Sequence, residues 1–154
     1  MSSKIVFCTD DTILAIGGAL ATVASKENVE IIRKIGSYEG QIQLNQNGIV
    51  LHEELKTLLS ADELKAVILH EKGHLAHKRL VKMAAIGATG IFDNNDFEKE
   101  ADAYAAKRVG PRATISALVK LIANAIKDAP AELKTEVWKG LHASGRIQTL
   151  LAMR

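Results

Sequence analysis

The spacing of apolar and polar residues changes character near residue 53. Before it, apolar positions come in short runs with many β-branched residues. Lys4 to Cys8 alternates loosely and predicts a short strand. Asp10 or Asp11 offers an N-cap to a helix running to about Ser25, weakened by Gly17 and Gly18. Residues 29–35 are β-branched and predict another strand. Residues 41–44 and 48–51 flank Asn45-Gln46-Asn47 as the arms of a hairpin would. From Glu53 onward the period turns helical. Ser60 followed by Glu63 is a capping-box signature, and the helix it opens should run to about Lys82. Asp93-Asn94-Asn95-Asp96 is a turn and cap cluster before a helix ending near Val109. Gly110-Pro111 stops that helix and starts the next, and Pro130 opens another after Asp128. The expectation is an α+β fold in one domain, 1–154, with a small antiparallel sheet and its hairpin packed on a mainly helical body.

Composition narrows the function classes. Hydrophobic residues make up 47% of the chain, enough for a packed core rather than a disordered segment. The 20 basic residues are balanced by 18 acidic ones without a basic block, which argues against nucleic acid as a partner. Cys8 is the single cysteine, which excludes an internal disulfide and favours the reducing cytoplasm. Residues 12–24 and 83–92 are apolar, but each falls short of the roughly 20 residues needed to span a bilayer. No membrane span is expected.

The candidate chemistry lies in the helix that Ser60 opens, at His70-Glu71-Lys72-Gly73-His74. Histidines at i and i+4 share one helical face one turn apart, so their imidazoles can converge on a single zinc ion. Glu71 lies about 60° around the helix from His74, where a carboxylate flanks the open coordination position and can act as general base. Lys65, Lys72 and Arg79 form a charged stripe nearly opposite the histidines. The competing reading is a chance match on an ordinary packed helix.

A third donor is needed. His77 shares the face, but it stands about 10 Å along the axis from His70, too far for all three rings to bind one ion. It reads as a surface residue or as a neighbour of the site. Glu98 and Asp102 are four apart on a later helix, with Ala101 and Ala105 beside them. Small residues allow close approach to the histidine helix, so Glu98 can reach the metal while Asp102 orients a ligand imidazole. The alternative is two surface carboxylates on an ordinary helix.

These residues resemble the gluzincin metallopeptidases, and within them the HtpX-like and CAAX prenyl endopeptidase family (peptidase family M48-like). The resemblance rests on Leu58-Leu59-Ser60-Ala61-Asp62-Glu63-Leu64-Lys65-Ala66-Val67-Ile68-Leu69-His70-Glu71-Lys72-Gly73-His74 and on Glu98-Lys99-Glu100-Ala101-Asp102-Ala103-Tyr104-Ala105, and covers about residues 40–110. It implies a zincin-like fold and peptide-bond hydrolysis, with zinc held by His70, His74 and Glu98 and with Glu71 as general base. It also implies a peptide or protein substrate laid along a sheet edge, for which residues 48–51 are a candidate. His142-Ala143-Ser144-Gly145-Arg146-Ile147 is similar to a His-Pro-Ser segment followed by Arg-Ile in that family, where the histidine can stabilise the oxyanion. Here the proline is missing and the spacing is shorter. His142 is thus either a catalytic oxyanion donor or a surface histidine.

Relatives of this kind are usually membrane proteins; the chain looks more like the soluble minigluzincins, some of which are held latent by their own terminal segments. Residues 1–24 and 148–154 are candidates for such a plug. His52 is expected as a solvated turn residue beside a substrate groove, and Trp138 and Tyr104 as core. Two other functions stay open: a non-catalytic zinc-binding interaction module, and a regulatory peptidase cutting one specific protein. Intact Glu71 speaks against the first, and Asp102, in place of the asparagine usual in repressor-cleaving enzymes, against the second.

Overall fold

The computed structural model describes residues 5–10, 13, 20–24, 48–77 and 94–153. Three strands form one sheet: β1 (Ile5–Cys8), β2 (Ala21–Ala24) and β3 (Gly48–His52). Six helices follow among the described residues: α1 (Leu55–Leu58), α2 (Ala61–Ala76), α3 (Asn94–Val109), α4 (Pro111–Ala125), α5 (Ala131–Ser144) and α6 (Arg146–Leu151). The α+β class with a helix bearing the two histidines stands as expected.

The sheet order is β1-β3-β2, with β1 parallel and β2 antiparallel to β3. The sheet is therefore mixed rather than antiparallel. Every residue of β3 is buried, as befits a central strand covered on both faces. Ile49 and Leu51 point to the side where Ala66 and Val67 of α2 and Ala117 of α4 pack; Val50 points to the other, with Val6, Cys8 and Ile13. Two expectations change here. Residues 48–51 are not an edge, so they cannot receive a substrate strand; β2 ends the described sheet instead. The helix expected to run to Ser25 gives way to β2 at Ala21, where two β-branched residues, Thr22 and Val23, pair with Val50 and Ile49. The strand expected at 29–35 and the first hairpin arm at 41–44 lie outside the described residues.

The helical half follows its local signals. Ser60 Oγ accepts the Glu63 N–H at 3.2 Å and Glu63 Oε1 accepts the Ser60 N–H at 2.8 Å, completing the capping box. α2 ends at Ala76 with His77 as its C-cap, earlier than Lys82. Gly110, at φ +97°, makes the turn that lets Pro111 open α4. Pro130 is the N-cap of α5, one position outside the helix it was expected to begin. α5 has no buried residue, so Trp138 is half-exposed rather than core. No helix among the described residues is long and apolar enough to cross a membrane.

Candidate metal centre

α2 and α3 approach so closely that a Cβ on Gly73 would stand 2.9 Å from both Ala101 Cα and Tyr104 Cβ. A glycine inside a helix costs about 1 kcal/mol relative to alanine. Here that cost secures the contact on which the site depends. Ala101 and Ala105, both fully buried, continue the seam along α3.

The close approach brings three donors together. His70 Nε2 and His74 Nε2 are 3.1 Å apart, with their rings perpendicular. Glu98 reaches from α3 with Oε2 3.1 Å from His70 Nε2 and Oε1 3.3 Å from His74 Nε2. Ligands about 2.0–2.1 Å from a tetrahedral zinc stand roughly 3.3–3.4 Å from one another, so this triangle has the size a zinc ion requires. His70, Glu71 and His74 also present donor atoms within 4.8 Å of one another, and Glu71 Oε1 lies 4.0 Å from His70 Nε2. Glu71 and His74 are buried.

Asp102, 2% exposed, accepts the His70 Nδ1–H at 2.9 Å, which turns the Nε2 lone pair toward Glu98 and His74. Arg146, the first residue of α6, grips Asp102 with two charge-assisted bonds: Nε to Oδ2 at 2.8 Å and Nη2 to Oδ1 at 2.9 Å. Nη2 also lies 3.5 Å from Glu98 Oε2.

The electrostatics favour a cation. Burial opposes charge on His70, yet hydrogen bonds to the Asp102 and Glu98 carboxylates outweigh it and pull its pKa up to about 9. Burial would raise the Glu98 carboxyl, but the two imidazoles hold it far below the usual carboxylate range. Asp102 is likewise held down, against burial, by Arg146 and His70. Three carboxylates facing two imidazoles and one guanidinium form a set into which a divalent cation fits by charge, by donor type and by size.

A cavity of about 330 Å³ opens beside these groups. His70, Glu71, Glu98, Asp102 and Arg146 line its polar end. Its apolar wall comes from Ala117, Leu118, Leu121 and Ile122 of α4, with Leu20 and Ala21 at the start of β2. β2, at one end of the described sheet, and the donor triangle thus border one space.

Of the residues singled out from sequence, His70, Glu71, His74, Glu98 and Asp102 meet at this centre. His142 does not: it is exposed on α5, where Nδ1 pairs with Gln148 Nε2 at 3.0 Å, and it takes no part in lining the cavity. The reason is that α5 lies apart from the α2–α3 seam and packs chiefly on α6. His52 is buried rather than solvated. Its Nδ1 accepts the Glu54 N–H at 3.0 Å, so Nε2–H donates to Asp10. His77 caps α2, with Nδ1 3.8 Å from Glu100 Oε2 and its ring edge-on to Tyr104. Gly73 and the α4 wall were missed from sequence. A glycine in mid-helix between two histidines was the available signal for the first; nothing local marks the second.

A pair of helical histidines, one buried and one partly so, with a carboxylate from a neighbouring helix and a second carboxylate alongside is the donor set of a candidate metal centre. Comparison with known families agrees: the model of Peptidase family M48 matches residues 38–93, the stretch that includes the histidine helix. No curated protein and no solved structure matches the chain. That match suggests metalloprotease activity.

Proposed function

We propose that the chain is a zinc-dependent metalloendopeptidase in which His70, His74 and Glu98 would hold the ion. The observation that carries this reading is the 3.1–3.3 Å triangle of Nε2, Nε2 and carboxylate oxygen, with Glu71 beside it and a cavity in front. A zinc ion bound there supplies Lewis acidity toward the scissile carbonyl and toward water. Glu71 accepts the proton of the attacking water and returns it to the leaving nitrogen. Asp102 keeps the His70 tautomer fixed. The apolar wall of α4 excludes water and receives a bulky aliphatic or aromatic side chain next to the scissile bond, while the substrate main chain runs beside β2. The lone, buried cysteine suits a cytoplasmic enzyme.

The test combines elemental analysis with cleavage of unstructured protein substrates. The purified parent should carry zinc near one equivalent. Glu71→Gln should retain that zinc while cleavage falls about 10²–10⁴-fold. A folded parent that takes up no zinc, or a Gln variant as active as the parent, would overturn the reading.

A further inference from the structure

The tail after Ser144 has an arrangement that the proposed chemistry does not itself require. Gly145, at φ +76°, ends α5 in a left-handed turn and begins α6. Ser144 Oγ accepts the Arg146 N–H at 3.3 Å and donates to Leu141 O at 2.6 Å, fixing the turn. α6 then packs on α3 and α4, and Leu150, fully buried, fastens it there. The outcome is that the first side chain after the turn, Arg146, meets Asp102 with a two-pronged grip.

We propose that Arg146 is a positioning residue and that the C-terminal helix carrying it is a strut of the metal centre rather than a plug. This rests on the reading of His70, His74 and Glu98 as zinc ligands. Asp102 Oδ1 accepts from both His70 Nδ1 and Arg146 Nη2, and Oδ2 accepts from Arg146 Nε. Gripped at both oxygens, the carboxylate cannot swing away from the imidazole it orients. The same guanidinium lies 3.5 Å from Glu98, so one planar group sets the plane of one carboxylate and holds the position of another. It also offsets negative charge where Glu71, Glu98 and Asp102 crowd together. A lysine would keep the charge but lose the fork.

The placement of the tail opposes a blocking role. Arg146 alone among tail residues 146–153 lines the cavity, and it does so from the wall. Of the amino-terminal residues, 5–8 and 21–24 are strands of the described sheet.

The experiment measures zinc affinity by competition with a chromogenic chelator, in the full-length chain, alongside thermal unfolding of the metal-free protein. Arg146→Gln should bind zinc about 10–100-fold more weakly, the usual cost of losing a partner that orients a ligand. Arg146→Lys should recover part of that loss. Leu150→Ala, at the buried position that fastens α6, should also weaken zinc by loosening that helix. Leu151→Ser, at an exposed position, should not. If Arg146→Gln does not fold, the Lys variant decides. Zinc affinity equal to the parent in the folded Arg146 variants, with only the unfolding temperature lowered, would show a purely structural contact and overturn the proposal. A parent that binds no zinc would overturn the metal reading itself, and the two failures are distinct.

Discussion

Glu63, on α2, and Glu98, which faces α2 from α3, are acidic side chains held well below the ordinary carboxylate range, but by different kinds of partner. Glu63, 5% exposed, takes the Ser60 N–H, the Ser116 hydroxyl and the Lys120 ammonium, the last at 2.7 Å. Hydrogen bonds from Lys120, Ser116 and Ser60 bring its pKa down to about 2. Every one of those partners is a committed donor, so Glu63 acts as a bolt between the start of α2 and α4. Glu98 faces two imidazole nitrogens instead, one on a ring whose other nitrogen already donates to Asp102. Imidazole nitrogens that donate to a carboxylate can exchange their protons for a metal ion, as an ammonium, a hydroxyl and a backbone amide do not. The contrast teaches that burial and a depressed pKa do not by themselves mark a functional carboxylate; the chemistry of the partners does.

The largest expected effect separates the two. Glu98→Ala should weaken zinc by more than the roughly 10–100-fold that accompanies loss of an outer partner. Glu63→Ala should leave zinc affinity within a few-fold and lower stability instead. Competition titration and urea unfolding on the same preparations check both. If each substitution affected both quantities alike, the contrast would collapse.

Gly73→Ala comes next. Its added methyl meets backbone at Ala101 and the Tyr104 Cβ, neither of which is the free end of a flexible chain. The helices must part, at a cost of about 1–3 kcal/mol typical of overpacking, and Glu98 must recede from the histidines. Zinc affinity should therefore fall although no ligand is changed. Affinity equal to the parent would mean that the α2–α3 seam has slack.

The smallest effect concerns acid. The folded pKa of Glu63 lies below its unfolded value, so its stabilisation is complete above the ordinary carboxylate value of about 4.3 and fades as pH falls through about 2. Glu63→Gln should cost about 1.5–3 kcal/mol near neutrality, on the scale of hydrogen bonds to a charged group. The gap between parent and variant should close toward pH 2. Urea midpoints measured from pH 7 to pH 2 would show parallel curves if Glu63 contributes nothing.

What could be read from the sequence follows the range over which each interaction acts. The capping box at Ser60 and Glu63, the stop at Gly110-Pro111 and the shared face of His70 and His74 all arise within one or two turns, and all were legible. Glu98 and Asp102 were legible through their spacing and the alanines between and beyond them. Strand order was not, because pairing of β3 with β1 and β2 depends on chain segments far apart. Nor was the destination of Arg146, which is fixed by a left-handed turn at Gly145 and by the burial of Leu150. His142 illustrates the converse: a short local likeness suggested a role, and the exposed course of α5 carries that side chain elsewhere.

The parallel pairing of β1 with β3 also bears on how the chain reaches this structure. Neighbouring parallel strands require the polypeptide to travel out and return before their first hydrogen bond can form, and closing so long a loop is entropically slow. The seam between α2 and α3 and the turn into α4 join segments closer along the chain. Docking of β1 onto β3 after the α2–α3 seam is the order this topology favours.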